Sequence, residues 1–143
     1  MTAKEYLYEI KKMDLQITFY AKEIDHWRSL STRVSGSNFE PNYNSSRNTE
    51  PAYVRCLEKI IELEDVINGQ IDIFIELKNE AIAKINKINN LEYQTVLVMR
   101  YISFMPWYKI ADEMHYTTRW IYKLHEKALE ALDEVLASEN RTP

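Results

Sequence analysis

The chain has 143 residues, 45% hydrophobic and 28% charged, with 2 Gly, 4 Pro and a formal net charge of −4. So few turn formers argue against a β-rich fold, and the balance of apolar and charged side chains argues against wholesale disorder. The single Cys56 excludes an internal disulfide and a multi-cysteine metal site, which suits a reducing cytoplasm; no uncharged apolar run could span a bilayer, and the charged opening residues Lys4, Glu5 and Glu9 do not read as a signal peptide.

Ala3, Tyr6, Ile10, Met13, Ile17, Tyr20, Ile24 and Trp27 alternate spacings of three and four. This heptad stripe predicts a helix from about Thr2 to Thr32 with a narrow seam for another helix. Ser35-Gly36-Ser37-Asn38 should end it, and the polar run through Pro41 to about Thr49 reads as a mobile loop over 35–49. A second long helix is expected from Glu50-Pro51 to about Ile88, because Tyr53, Leu57, Ile60, Ile67, Ile71, Phe74, Ala81, Ile85 and Ile88 repeat the spacing. Ile61, Leu63, Ile75, Leu77 and Ile82 widen its apolar face beyond one seam. Gly69 is a local weak point, costing about 1 kcal/mol relative to Ala. The simplest packing is an antiparallel hairpin over 1–88. Its surplus apolar face suits the C-terminal part of the chain or another subunit, and a homodimer through the hairpin is the expectation.

Asn89-Asn90 marks a boundary, since paired Asn favours caps and turns over helix interiors. A third helix should run from Leu91 to about Ile102, with Val96, Leu97 and Tyr101 as its core side. Ser103 to Pro106 then leads into WYKIADEMHYTTRWIYKLHEKAL, residues 107–129. Ile110, Ala111 and Met114 share one face of a short helix, with Asp112 and Glu113 outward. The small Ala111 permits a close helix crossing. Met114-His115-Tyr116 breaks the pattern, and His115 has to accept a left-handed conformation there. Thr117 is the expected N-cap of the next helix, whose stripe of Ile121, Leu124, Ala128 and Leu129 carries on to about Leu136, leaving 138–143 as a tail. The fold class is therefore all-α: a long N-terminal antiparallel hairpin followed by a three-helix helix-turn-helix domain over 89–137.

Tyr93-Gln94-Thr95-Val96-Leu97-Val98-Met99-Arg100-Tyr101, Ile110-Ala111-Asp112-Glu113-Met114 and Lys127-Ala128-Leu129 together resemble region four of the bacterial sigma factors, over about Ile88 to Leu136. With the long helices in front, the chain resembles the small sigma-like phage regulators of the ArpU and RinA type. That resemblance implies a phage or prophage transcription regulator that binds double-stranded promoter DNA alongside RNA polymerase in the cytoplasm of a bacterial host. The chain also departs from the pattern. Pro106-Trp107-Tyr108-Lys109 stands where Ser or Thr followed by acidic residues is common, His115 where Gly is common, and Trp120 and Tyr122 where charged side chains are common.

Thr117, Thr118, Arg119, Tyr122 and Lys123 form the expected DNA face. Arg119 can bridge two acceptors on guanine, and Lys123 can meet guanine or a phosphate. Thr118 and Tyr122 suit a thymine methyl or backbone oxygens, with Arg100 and Lys109 as phosphate contacts. Residues 1–85 hold 11 basic and 14 acidic side chains, whereas 100–127 hold five basic against three acidic. A face this mildly basic gains only modestly from counterion release. Trp107 and Trp120 are expected as buried anchors. The three His lack close ligand spacing, Glu62, Glu64 and Asp65 fit a solvated face, and neither a Gly-rich phosphate loop nor an activated nucleophile is present. Neither a metal, a cofactor nor enzyme activity is expected. The alternative reading is an assembly module such as a phage terminase small subunit binding packaging DNA. Those proteins usually carry the DNA-binding part first in the chain, and here it comes last.

Overall fold

Caps at their first residues fix where the helices begin. In the computed structural model, which describes residues 1–37 and 51–141, α1 (Ala3–Ser37) opens with a reciprocal cap. The Thr2 amide donates to Glu5 Oε2 at 2.9 Å and the Glu5 amide to Thr2 Oγ1 at 3.2 Å. The carbonyl of Pro51 accepts from the amides of Val54 and Arg55 as α2 (Ala52–Ile85) starts. Asn90 caps α3 (Leu91–Leu97), its side chain accepting from the Tyr93 amide at 3.1 Å. A π-helical turn, Val98–Ile102, follows directly, then α4 (Trp107–Met114) and α5 (Thr118–Arg141). The fold is all-α, with no strand among the described residues.

These residues divide into two compact units, Met1–Asp14 with Ile73–Pro143, and Leu15–Asp72. In the second unit the core is Ile24, Ile60 and Leu63, flanked by Tyr20, Trp27 and Ile67. These are stripe positions of both long helices, together with Leu63 from the widened face. Arg28 meets Glu64 at 2.7 Å across the pair. Both side chains are well exposed, so the bridge contributes little. Leu15, Phe19 and Ile61 are each more than half exposed.

The first unit is built around one larger core. Leu7 and Ile10 of α1, Ile85 of α2, Leu97 of α3, Ile110 of α4, and Ile121 and Leu132 of α5 have no exposed surface. Burying each contributes roughly 1.5–3 kcal/mol. The two long helices run antiparallel here, as the stripes predict. Lys84 lies 4.6 Å from the Tyr6 ring centre, while Lys11 and Lys78 converge on Phe104 at 4.7 and 4.9 Å. Advancing along α1 therefore meets earlier residues of α2. The Ala3 amide donates to Asp133 Oδ1 at 2.6 Å, tying the start of α1 to α5.

Three boundaries differ from expectation. The helix α1 continues to Ser37, because a single Gly36 costs only about 1 kcal/mol and does not stop a helix already propagating. The rest of the loop expected over 35–49 lies outside the described residues. At the other end, α5 runs on to Arg141 rather than ending near Leu136. Glu139 pairs with Lys87 at 2.6 Å and with Lys84 at 3.5 Å, which holds the additional turns. Finally, the compact units do not divide at Asn89. Three short helices cannot bury their own apolar faces, and Ala3, Leu7, Ile10, Ala81, Ile85 and Ile88 complete the core.

Candidate nucleic-acid interface

The helix-turn-helix is held by both of its caps. His115 ends α4 in the left-handed region, φ 59° and ψ 40°, as its place in the turn requires. Its amide donates to the Asp112 carbonyl at 3.3 Å, and the Tyr116 amide to the Ala111 carbonyl at 3.0 Å. This double closure satisfies two terminal carbonyls and aims the chain sharply away. Thr117 then caps α5, its hydroxyl accepting from the Trp120 amide at 3.2 Å. Ile110 and Ala111 are buried, with Met114 half-buried beside them; Ile121, Leu124 and Ala128 are buried against them from α5. The angle between α4 and α5 is thus fixed by packing on one side and backbone capping on the other.

On the opposite side of α5, Thr118, Arg119, Tyr122 and Lys123 are all exposed, and so is Thr117. Arg119, Lys123 and Tyr122 recur at three- and four-residue spacing and share one face of the first two turns. The same face then turns acidic at Glu126 and Glu130, also exposed. Arg119 and Lys123 thus put positive charge on this face in the first two turns of the helix, the end that enters a major groove in helix-turn-helix proteins. Trp107 braces the ring of Tyr122 edge-on at 5.3 Å between centres. That contact limits the rotamers open to the tyrosine.

The remaining predicted residues are dispersed. Lys109 is exposed on the first turn of α4. Arg100 belongs to the π-helical turn, where one guanidinium nitrogen donates to the Met105 carbonyl at 3.0 Å and the group lies 4.3 Å from the Trp107 ring centre. It is drawn into the unit instead of standing with Arg119 and Lys123. Trp107 is half-buried, an anchor as expected. Trp120 is not: it is 43% exposed, near Tyr116 at 6.2 Å and Lys127 at 6.0 Å. The signal lay in its position, one residue before Ile121 and so on the flank of the apolar stripe.

His125 contacts both Tyr101 and Trp107. Its Nε2 is 2.7 Å from the Tyr101 hydroxyl, the two rings stack at 5.6 Å, and Trp107 meets it edge-on at 4.7 Å. Burial, reinforced by the Arg100 and Lys4 charges, pushes the imidazole down to about 4. It is therefore neutral at pH 7. Burial also raises the Tyr101 phenol, against the pull of Arg100. Among the described residues no group of three or more His, Cys, Asp or Glu could hold a metal, and no helix is long and apolar enough to cross a membrane.

Comparison with known proteins returned one family. Its pattern, described as a protein of unknown function (DUF1492), matches residues 44–133. No curated protein and no solved structure matches the chain. The family match takes in α2, α3, the π-helical turn, α4 and most of α5, and therefore both caps and every exposed residue of the candidate face. It spans well over half of the sequence, and on that basis the chain belongs to the DUF1492 family of proteins of unknown function.

Proposed function

We propose that the protein is a sequence-specific DNA-binding transcription regulator of phage or prophage type, reading promoter DNA with a sigma-like helix-turn-helix and acting beside RNA polymerase. One observation carries the reading. A rigidly capped α5 presents Arg119 and Lys123, with Thr118 and Tyr122, on the exposed face of its first two turns. Arg119 reads guanine and Lys123 a guanine or phosphate; Lys109 supplies a further phosphate contact. The acidic residues that follow restrict the footprint to one short helix end. Two copies paired through the hairpin would supply two such ends for successive grooves. The exposed Leu15, Phe19 and Ile61 support that pairing.

The test is selection of genomic fragments by the tagged protein at moderate salt, beside an Arg119→Ala, Lys123→Ala variant. A compact shared motif that disappears in the variant is the expected result. Arg119→Ala alone should cost about 1–3 kcal/mol and relax one base position. Retention without a motif, or retention unchanged in the double variant, would overturn the assignment.

A further inference from the structure

A cavity of about 650 Å³ opens beside the helix-turn-helix, within the unit Met1–Asp14 with Ile73–Pro143. It is bounded by the first three turns of α1, the π-helical turn, the start of α4, and His125 of α5. Three cations line it, Lys4, Lys11 and Arg100, against one carboxylate, Glu5. That carboxylate is already engaged by the Thr2 amide. Among the described residues neither Lys4 nor Arg100 has a carboxylate partner, and Lys11 has only the half-buried Asp14 at 3.6 Å. A chain with a net charge of −4 thus gathers an excess of positive charge in one concavity.

The rest of the wall is aromatic: Tyr8, Tyr101, Phe104 and Trp107. Two irregularities of the backbone place these groups. The π-helical turn carries Arg100 and Tyr101, and such turns recur at functional sites. Phe104 stands in the left-handed region at φ 55°, an uncommon conformation for a bulky aromatic residue. A strained wall held in place by its surroundings is a pointer to use. Cations interleaved with π faces recognise a ligand that is both flat and anionic. The volume suits a small organic molecule and excludes a duplex. Two lysines match the charge of a single phosphate ester, roughly −2 near neutral pH.

We propose that this cavity binds a nucleoside monophosphate, with the base against Trp107 and Tyr101 and the phosphate held by Lys4 and Lys11. Arg100, its guanidinium fixed over Trp107, adds positive charge at the junction of the two. The neutral His125 ring contributes a hydrogen-bonding group without further charge. The assignment is independent of DNA reading, since none of these residues lies on the Arg119 face of α5. The same base-plus-phosphate chemistry could arrive free or as part of a single strand, and the experiment separates the two.

The full chain is titrated calorimetrically with AMP, GMP, CMP and UMP, then with adenosine, inorganic phosphate and a short single-stranded oligonucleotide. Saturable one-site binding of at least one mononucleotide is expected, tighter than either of its two halves. A Lys4→Ala, Lys11→Ala variant should bind it roughly tenfold more weakly or worse, as two charge-assisted contacts are lost. In the unaltered protein the indole N–H resonance of Trp107 should move on binding, while those of Trp27 and Trp120 stay in place. No saturation by any of the four, a shift at Trp120 in place of Trp107, or tighter binding of the oligonucleotide than of the mononucleotide would each overturn the proposal.

Discussion

Lowering the pH from 7 toward 4 should destabilise the protein specifically through His125. The folded state holds this imidazole near 4, against an ordinary value of 6.5, because it is packed on Tyr101 and Trp107 with Arg100 and Lys4 nearby. Between those two values the unfolded chain binds a proton that the folded chain refuses. Stability is therefore complete above about pH 6.5 and falls as the pH drops toward 4. At ~1.4 kcal/mol per pH unit, the interval corresponds to a ceiling of about 3.4 kcal/mol. The ring is only partly buried, and solvent screening reduces this to about 1.5 kcal/mol. Urea unfolding of the unaltered protein and of His125→Gln, followed by circular dichroism at pH 7, 6, 5 and 4.5, isolates the contribution. Glutamine retains a hydrogen-bonding group for the Tyr101 hydroxyl and does not titrate. The unaltered protein should lose about 1.5 kcal/mol more than the variant across that range. Parallel curves for the two proteins would refute the reasoning.

Gly69→Ala should raise stability by about 0.5–1 kcal/mol, since a Cβ there meets nothing within 4 Å and the helix gains a better former; an unchanged or lower melting temperature would contradict it. His115→Gly should also stabilise, by about 0.5 kcal/mol, the relief of a left-handed residue slightly exceeding the added entropy of the unfolded chain. Denaturant midpoints would read that sign directly. Ile121→Ala removes a side chain with no exposed surface beneath the exposed face of α5 and should cost about 2–5 kcal/mol in the same assay.

Much of the fold was legible because it rests on periodicity and caps. The α1 stripe from Ala3 to Trp27 is buried or half-buried at every position, and Asn90, Thr117 and His115 each do what their side chains or place in the turn required. What escaped the sequence depended on residues brought together from afar. Lys4, Tyr8 and Lys11 follow one another at four- and three-residue spacing and read as an ordinary solvated face. Only the closing of α1 over Arg100 and Trp107 turns them into a cavity wall. The π-helical turn was equally hidden, since YQTVLVMRY has the composition of a regular helix and the widening shows only in bonds such as Ser103 amide to Val98 carbonyl, 2.9 Å. Of the residues expected to meet phosphate, Arg100 went to that cavity for the same reason.

The bond between the Ala3 amide and Asp133 carries a consequence for how the chain is made. Ribosomal synthesis releases Ala3, Leu7 and Ile10 well before α5, yet these segments share one core. The first turns of α1 must therefore wait, their apolar side chains unsatisfied, until α5 has emerged. A fragment beginning at Asn89 would contain every residue of the candidate DNA face and still lack seven buried side chains of the core beneath it, those of Ala3, Tyr6, Leu7, Ile10, Ala81, Ile85 and Ile88. Such a fragment should fail to fold, and supplying a peptide of residues 1–14 would not by itself replace the Ala81, Ile85 and Ile88 contribution. The reader becomes competent only when α1, α2 and α5 have met.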